Sequence, residues 1–448
     1  MVRLSKSLLT NSMANLKYQS PKGVHDILPD DHLYFSFIQK VVRHHCRRAG
    51  FRRISTPIFE NVEVFKRSIG ESSDIVEKEM FLFESKSGKK FALKPEGTAG
   101  VVRAYLEHGM SSLPKPVELY YIEPHFRYNR PQKGRYRQFH QFGFEVLGES
   151  DPAIDAQVIY ISNRINQDLG VADRLSLQLN TIGSSEDRKQ FREDLVNYYT
   201  GKERSLCEDC RRRMHENPMR LLDCKEEDCQ ILASMAPKLE SVLSDESMEH
   251  FKLLQEYLDE LGVKYELNPT LVRGLDYYSH TVFEFWSKHE GAQNATGGGG
   301  RYDGLVKMMG GENTPAIGYA AGIERTIEYM KEAGIRPPNK DKVDIFVAHL
   351  GLVAKKKSLS LINDLRDLGI NTVGAIGKSS MSGQMSLADK LKAKYSLILG
   401  QIEVQEGTII LRDMQKGSQE TIPFDGIVDK MKDKLGEKRL SSKKLWEE

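Results

Sequence analysis

Cysteine is scarce in this chain and unevenly placed. Five occur in 448 residues, and four of them fall between Cys207 and Cys229. Such clustering excludes the spread disulfide framework of a secreted small domain and suits a reducing compartment. No run of eighteen apolar residues occurs, which excludes an ordinary membrane-spanning helix. A strong excess of either charge sign is also missing. The balance of 65 Lys and Arg against 63 Asp and Glu leaves a formal +2, so no polyanionic partner is demanded by net charge. Acidic residues are absent from the first twenty positions, which carry Arg3, Lys6 and Lys17 among serines. That pattern fits an organelle transit peptide, a flexible tail, or a start codon lying upstream of Met13. With 39% hydrophobic and 29% charged residues, the chain can bury several cores, and wholesale disorder is excluded.

What is present is concentrated in one stretch. Phe126 to Glu145 holds four arginines and three glutamines, flanked by β-formers such as Tyr120, Ile122, Phe142 and Val146. Asn129 to Gly134 supplies turn residues, so the stretch reads as a hairpin that holds arginine forks on a stiff scaffold. Such forks grip phosphate oxygens in fixed geometry. A basic hairpin edge with its charges in water is the ordinary alternative. Upstream, apolar spacing predicts a helix over 31–49 ended by Gly50, then a strand over 51–56 stopped by Pro57. A strand at 90–93 precedes a helix at 98–108 whose N-terminal amides suit an anion or carboxylate. Further on, a helix at 151–169 and strands at 175–179, 263–267 and 281–286 are expected, with AIGYAAGIERTIEYM at 316–330 read as helix. The intervening segment 186–261 reads as a helical insertion. After the Pro- and Lys-rich link at 334–342, alternating patterns predict a C-terminal α/β domain over 343–435 with a mostly parallel sheet. Residues 1–18 and 436–448 read as tails around a core spanning 19–334.

Three blocks together resemble the class II aminoacyl-tRNA synthetases: Gly50 to Pro57, Phe126 to Glu145, and GYAAGIER at 318–325. Two more, LVRGLDYYSHTVFEF and GGGGRYDGL, are similar to the signatures of the histidyl-tRNA synthetase family. The resemblance covers nearly the whole chain. It implies an α+β catalytic domain built on an antiparallel sheet, a helical insertion and an α/β anticodon-binding domain. It also implies histidine activation with ATP and Mg2+, transfer to histidine tRNA, a homodimer, a cytoplasmic setting and no membrane. By resemblance, Arg127 and Arg273 hold the α-phosphate, Arg135 and Arg325 the outer phosphates, and Asn129 the adenine. Glu96, Thr98 and Gln141 surround the α-amino group, Glu145 and Tyr278 read the imidazole, Arg273 reaches the histidine, and Tyr277 and Tyr302 line the pocket. Arg130 and Gln132 match positions that contact the tRNA acceptor end. One departure stands out: Asn129 occupies a position where the family usually has Glu, after Tyr128 where His is common. Asn offers a carbonyl acceptor without charge. The alternative implied by the same resemblance is a non-catalytic paralogue that serves ATP phosphoribosyltransferase as a histidine-sensing subunit. Such paralogues lose the clamping arginines and the C-terminal domain.

Two motifs remain. C-x2-C-x13-C-x4-C at Cys207, Cys210, Cys224 and Cys229 has plausible zinc spacing, with reduced, unliganded thiols in a helical insert as the ordinary alternative. Arg211 to Arg213 reads as a tRNA phosphate contact or a solvated helix face. GAIGKSS at 374–380 is no P-loop, because Thr372 stands where the motif requires Gly.

Overall fold

A computed structural model describes residues 18–70, 73–132, 134–222, 224, 226–288, 295–338, 342–377 and 380–436. Apart from Tyr18 and Gly436, the two expected tails lie outside this set. The chain divides into two units at Pro337/Pro338.

In the first unit the opening helix runs Pro29–Arg48, with Phe35, Ile38, Val42 and Cys46 on its buried side. Gly50 follows at φ 92, and the amides of Gly50 and Phe51 return to the carbonyls of Arg47 (3.3 Å) and Cys46 (2.9 Å). This left-handed closure suits a residue without Cβ. The strand after it is shorter than the alternation predicts. Only Arg52–Arg53 pairs, parallel to Leu119 and Tyr120. Side chains end the ladder: the Thr56 amide donates to Glu123 Oε1 at 3.0 Å, and the buried Lys94 ammonium donates to the Thr56 carbonyl at 3.1 Å.

The hairpin forms as expected, as Val117–Phe126 paired antiparallel with Gln138–Leu147 from Val117↔Leu147 to Phe126↔Gln138. These strands enter an eight-stranded sheet ordered 52–53, 117–126, 138–147, 316–322, 295–301, 279–287, 175–181, 266–267. The interior pairings are antiparallel and the two edge pairings parallel. Ala316–Gly322 is therefore a central strand, and the helix begins only at Ile323, running to Glu332. The small residues at 316–322, read above as helix, pair on both sides with Gly297–Arg301 and Gln141–Leu147. A helix cannot satisfy two flanking ladders, so tertiary pairing overrides local propensity.

The helices Pro152–Asp168 and Asp245–Glu260 pack on the sheet, placing Ile159, Ile165, Leu254 and Leu258 in one core with Phe144, Phe283 and Tyr319. Among its described residues, 186–261 is helical and free of strands. Phe191, Leu195, Tyr199, Leu206, Met214 and Leu221 form part of a second core there. A three-stranded sheet, Phe59–Asn61, Lys90–Leu93 and Leu82–Glu84, completes the unit.

The second unit has a five-stranded sheet ordered 372–374, 345–349, 395–399, 408–413, 419–423. Its first two pairings are parallel and its last two antiparallel. The sheet is thus mixed rather than mostly parallel. Thr408–Asp413 and Gln419–Pro423 form a hairpin on one edge, turning through Gly417 at φ 72.

Candidate active site

The site is founded on close packing between strands. Tyr121 faces Gly143 across the hairpin, and Glu145 faces Gly318 on the neighbouring strand. A Cβ on Gly97 or Gly143 would overlap the Tyr121 ring, and one on Gly318 would overlap Glu145 Oε2. Glycine in the middle of these strands therefore makes the space in which a carboxyl and a phenol are buried. Glu145, 1% exposed, accepts hydrogen bonds from Thr98 Oγ1 (2.8 Å) and Tyr302 OH (2.7 Å). Burial pushes its pKa up to about 8; the two hydroxyls hold it down, and Glu96 nearby raises it further.

Glu96 folds back on the helix Thr98–Glu107. Its two oxygens accept from the amides of Thr98 and Ala99, each at 2.8 Å. The helix N-terminus expected to wait for an anion is thus filled by the chain's own carboxylate. Burial raises the Glu96 pKa, and the two amides pull it back. Tyr277, Tyr278 and Tyr302 stand in contact, with ring centroids 4.7 Å apart for the first pair and 5.7 Å for Tyr277 and Tyr302. Burial drives the phenol pKa of each upward, so all three act as neutral hydrogen-bonding groups.

Next to this base opens a pocket lined by Arg127, Asn129, Arg135, Gln141, Arg273 and Arg325. Arg127 Nε donates to the Pro95 carbonyl at 2.8 Å, and its guanidinium lies 5.5 Å from the Phe139 ring centre. Arg273 pairs with Glu284 and sits 5.4 Å over the Tyr278 ring. Burial opposes its charge, but Tyr278 and Glu284 outweigh that and raise its pKa. A Cβ on Gly298 would stand 2.7 Å from an Arg273 nitrogen, so the glycine strand Ala295–Arg301 leaves room for that fork. Burial lowers the pKa of Arg127 and of Arg325. Arg130 and Gln132 are exposed on the hairpin loop and do not line this pocket.

Residues 23–326 match the family described as histidyl-tRNA synthetase, and residues 344–434 match an anticodon binding domain. The chain belongs to the histidyl-tRNA synthetase family. It is 46% identical over 418 residues to the histidine–tRNA ligase of Dehalococcoides mccartyi, covering 93% of this chain and 100% of that one. The Bacillus subtilis histidine–tRNA ligase is 42% identical over 418 residues, covering 93% and 98%. Among solved structures, apo histidyl-tRNA synthetase of S. aureus superposes with a TM-score of 0.79 at 35% identity, over 93% of this chain and 100% of that one.

Within this member of the family, several pocket residues lay beyond the sequence motifs. Glu79 is one. In the amide orientation that satisfies both of its atoms, Asn129 donates to both Glu79 oxygens, at 3.2 Å to Oε2. The position that lost a carboxylate therefore stands against another. Asp74 is a second such residue, and Glu284 and Glu324, which sit inside two of the quoted blocks without a role assigned there, line the pocket as well; Glu324 accepts from the His140 amide at 2.9 Å. Tyr121 was legible only as a β-former; its glycine partner at 143 was the available signal. Of Arg211 to Arg213, Arg211 is exposed on the helix face, while the other two are engaged in ion pairs. Arg212 is paired with Glu77 (2.7 Å) and Arg213 with Asp74 (3.0 Å), while Arg211 Nε donates to the Leu206 carbonyl at 3.0 Å.

Proposed function

We propose that this pocket activates L-histidine with ATP and Mg2+ and that the chain then passes the histidyl group to the 3′ end of histidine tRNA. One observation carries the reading: a carboxyl buried between two hydroxyls, beside a pocket whose lining holds five arginines. The first element suits an imidazole, and the second suits a polyphosphate.

In the first step a histidine carboxylate oxygen attacks the α-phosphorus of ATP, the bond to the bridging oxygen breaks, and pyrophosphate leaves with Mg2+. The nucleophile is already anionic, so alignment and charge stabilisation do the work and no protein base is needed. Arg127 and Arg273 hold the α-phosphate, and Arg135 and Arg325 hold the outer phosphates. Arg273 must trade Glu284 for phosphate and substrate to do so. Glu96, Thr98 and Gln141 surround the α-ammonium. Glu145 and Tyr278 read the imidazole between Tyr277 and Tyr302, and Asn129 meets the adenine. In the second step the terminal ribose hydroxyl attacks the histidyl carbonyl and AMP leaves, its phosphate oxygen taking the proton. Arg130 and Gln132, exposed at the hairpin tip, meet the incoming acceptor end, and the unit after Pro338 meets the anticodon. The chain works as a homodimer in the cytoplasm, a setting that fits its five free cysteines. No observation favours the regulatory-subunit alternative, and the arginine lining and the C-terminal unit stand against it.

The test is exchange of pyrophosphate into ATP with each of the twenty amino acids in turn. Histidine alone supports exchange, and Arg273→Ala abolishes it in a protein that keeps its circular dichroism. Exchange with another amino acid, or near-wild-type exchange in the variant, contradicts the reading.

A further inference from the structure

The four clustered cysteines come together in space. Cys207 caps the helix Glu208–Glu216, and Cys210 lies in its first turn. Cys224 lies in the link after the turn Pro218–Leu221, and Cys229 in the helix Glu227–Ser234. Their four sulfurs all lie within 4.8 Å of one another, and Cys207 and Cys224 are 3.8 Å apart. Four thiolates held ~2.3 Å from one ion at tetrahedral corners would stand about 3.8 Å from each other. A disulfide needs sulfurs at about 2.05 Å, and all four cysteines are free.

The backbone supplies a second observation. The Cys207 amide donates to Cys229 Sγ at 3.3 Å, and the Cys210 amide to Cys207 Sγ at 3.4 Å. Amides aimed at sulfur favour a thiolate over a thiol. Three of the four cysteines are buried, so thiolates gathered there need a compensating cation. The donor set is all sulfur and the arrangement closed, which selects zinc over magnesium or calcium.

The cluster also sits at the base of an electrostatic clamp. The helix it caps carries Arg212 and Arg213, and the turn between its cysteine pairs carries Arg220. Arg213 and Arg220 both reach Asp74 Oδ2, at 3.0 and 2.9 Å, and Arg212 reaches Glu77 Oε2 at 2.7 Å. Asp74 begins the single π-helical turn Ile75–Glu79, and Asp74, Glu79 and Arg220 all line the candidate active site.

We propose that Cys207, Cys210, Cys224 and Cys229 bind one zinc ion through four thiolates, and that this ion fixes the arginines that hold the segment 73–80 against the pocket. Each thiol proton leaves to solvent as the ion loads. The role is structural.

The test uses the full-length chain purified anaerobically without chelator. Elemental analysis gives about one zinc per chain, and cobalt(II) in its place shows the visible bands of a tetrahedral thiolate site. Less than a tenth of an equivalent of zinc, iron as the resident metal, or a disulfide among the four overturns the site. Cys224→Ser retains less than half the zinc; if that variant does not fold, the wild-type stoichiometry still decides. Removing zinc with a chelator raises hydrogen exchange of segment 73–80 severalfold. Unchanged exchange there, with zinc gone, overturns the link to the pocket.

Discussion

Glu145 carries a burden that can be read by titration. Its carboxyl rises from the usual 4.5 to about 8 because it is buried. Between those values the unfolded chain has released the proton while the empty folded chain keeps it, so stability contributed by this group falls as pH rises through that window. Chemical denaturation of wild type and Glu145→Gln should therefore diverge across it: the wild-type advantage shrinks with pH by up to about 1.4 kcal/mol per unit. A constant difference from pH 5 to pH 8 would place the proton elsewhere. In steady-state exchange the same variant raises the histidine KM more than the ATP KM; equal rises would contradict contact with the imidazole. Asn129 gives a second residue-level test. Restoring the family's residue with Asn129→Glu puts a carboxylate against Glu79, and like charges at that range repel. We expect the ATP KM to worsen severalfold, and adding Glu79→Gln to recover it with a coupling of about 1 kcal/mol. An ATP KM improved by Asn129→Glu alone would show that Glu79 is not in its way.

At the scale of elements, Gly50 and the tight closure after Pro29–Arg48 are the simplest to perturb. Gly50→Ala forces a Cβ into the left-handed region and within 2.8 Å of Glu118 Oε2. A cost of about 1–2 kcal/mol is expected, read as a lower melting temperature with exchange activity per folded chain unchanged. This helix end was legible in the sequence because a local rule governs it. The hairpin was legible for the same reason: alternation and turn residues lie within twenty positions. What escaped sequence reading is decided between distant segments. Ala316–Gly322 looks helical by itself and is a strand because 141–147 and 297–301 each need a partner. The Phe51–Thr56 strand stops short because Glu123 and Lys94, far along the chain, take its polar groups. Of the candidate site, the motif residues were named from the sequence. Glu79 and Tyr121, which hold or crowd them, belong to no motif and are neighbours only in three dimensions. Glu284 lies inside the block at 271–285 and shows its pairing with Arg273 only in the fold.

For the whole molecule, the division at Pro337/Pro338 separates two sheets with their own cores. A chain ended at Pro337 should fold and sustain histidine-dependent exchange, while charging of histidine tRNA drops by more than about tenfold for want of anticodon contacts. Charging at the full rate would remove the second unit from tRNA selection. The order of the two units was visible in sequence from the Pro- and Lys-rich link. The edge hairpin of the second sheet was not, since 408–423 carries only a weak turn signal around Gly417. Finally, the wall that Gly297 and Gly298 give the pocket is main chain alone, and added atoms on either would strike Tyr319 or Arg273. An inhibitor resting on that wall would touch a surface that point mutation can hardly redraw. Resistance would then have to arise at the rim, through Glu284, Glu79 or the hairpin loop, where side chains are there to be exchanged.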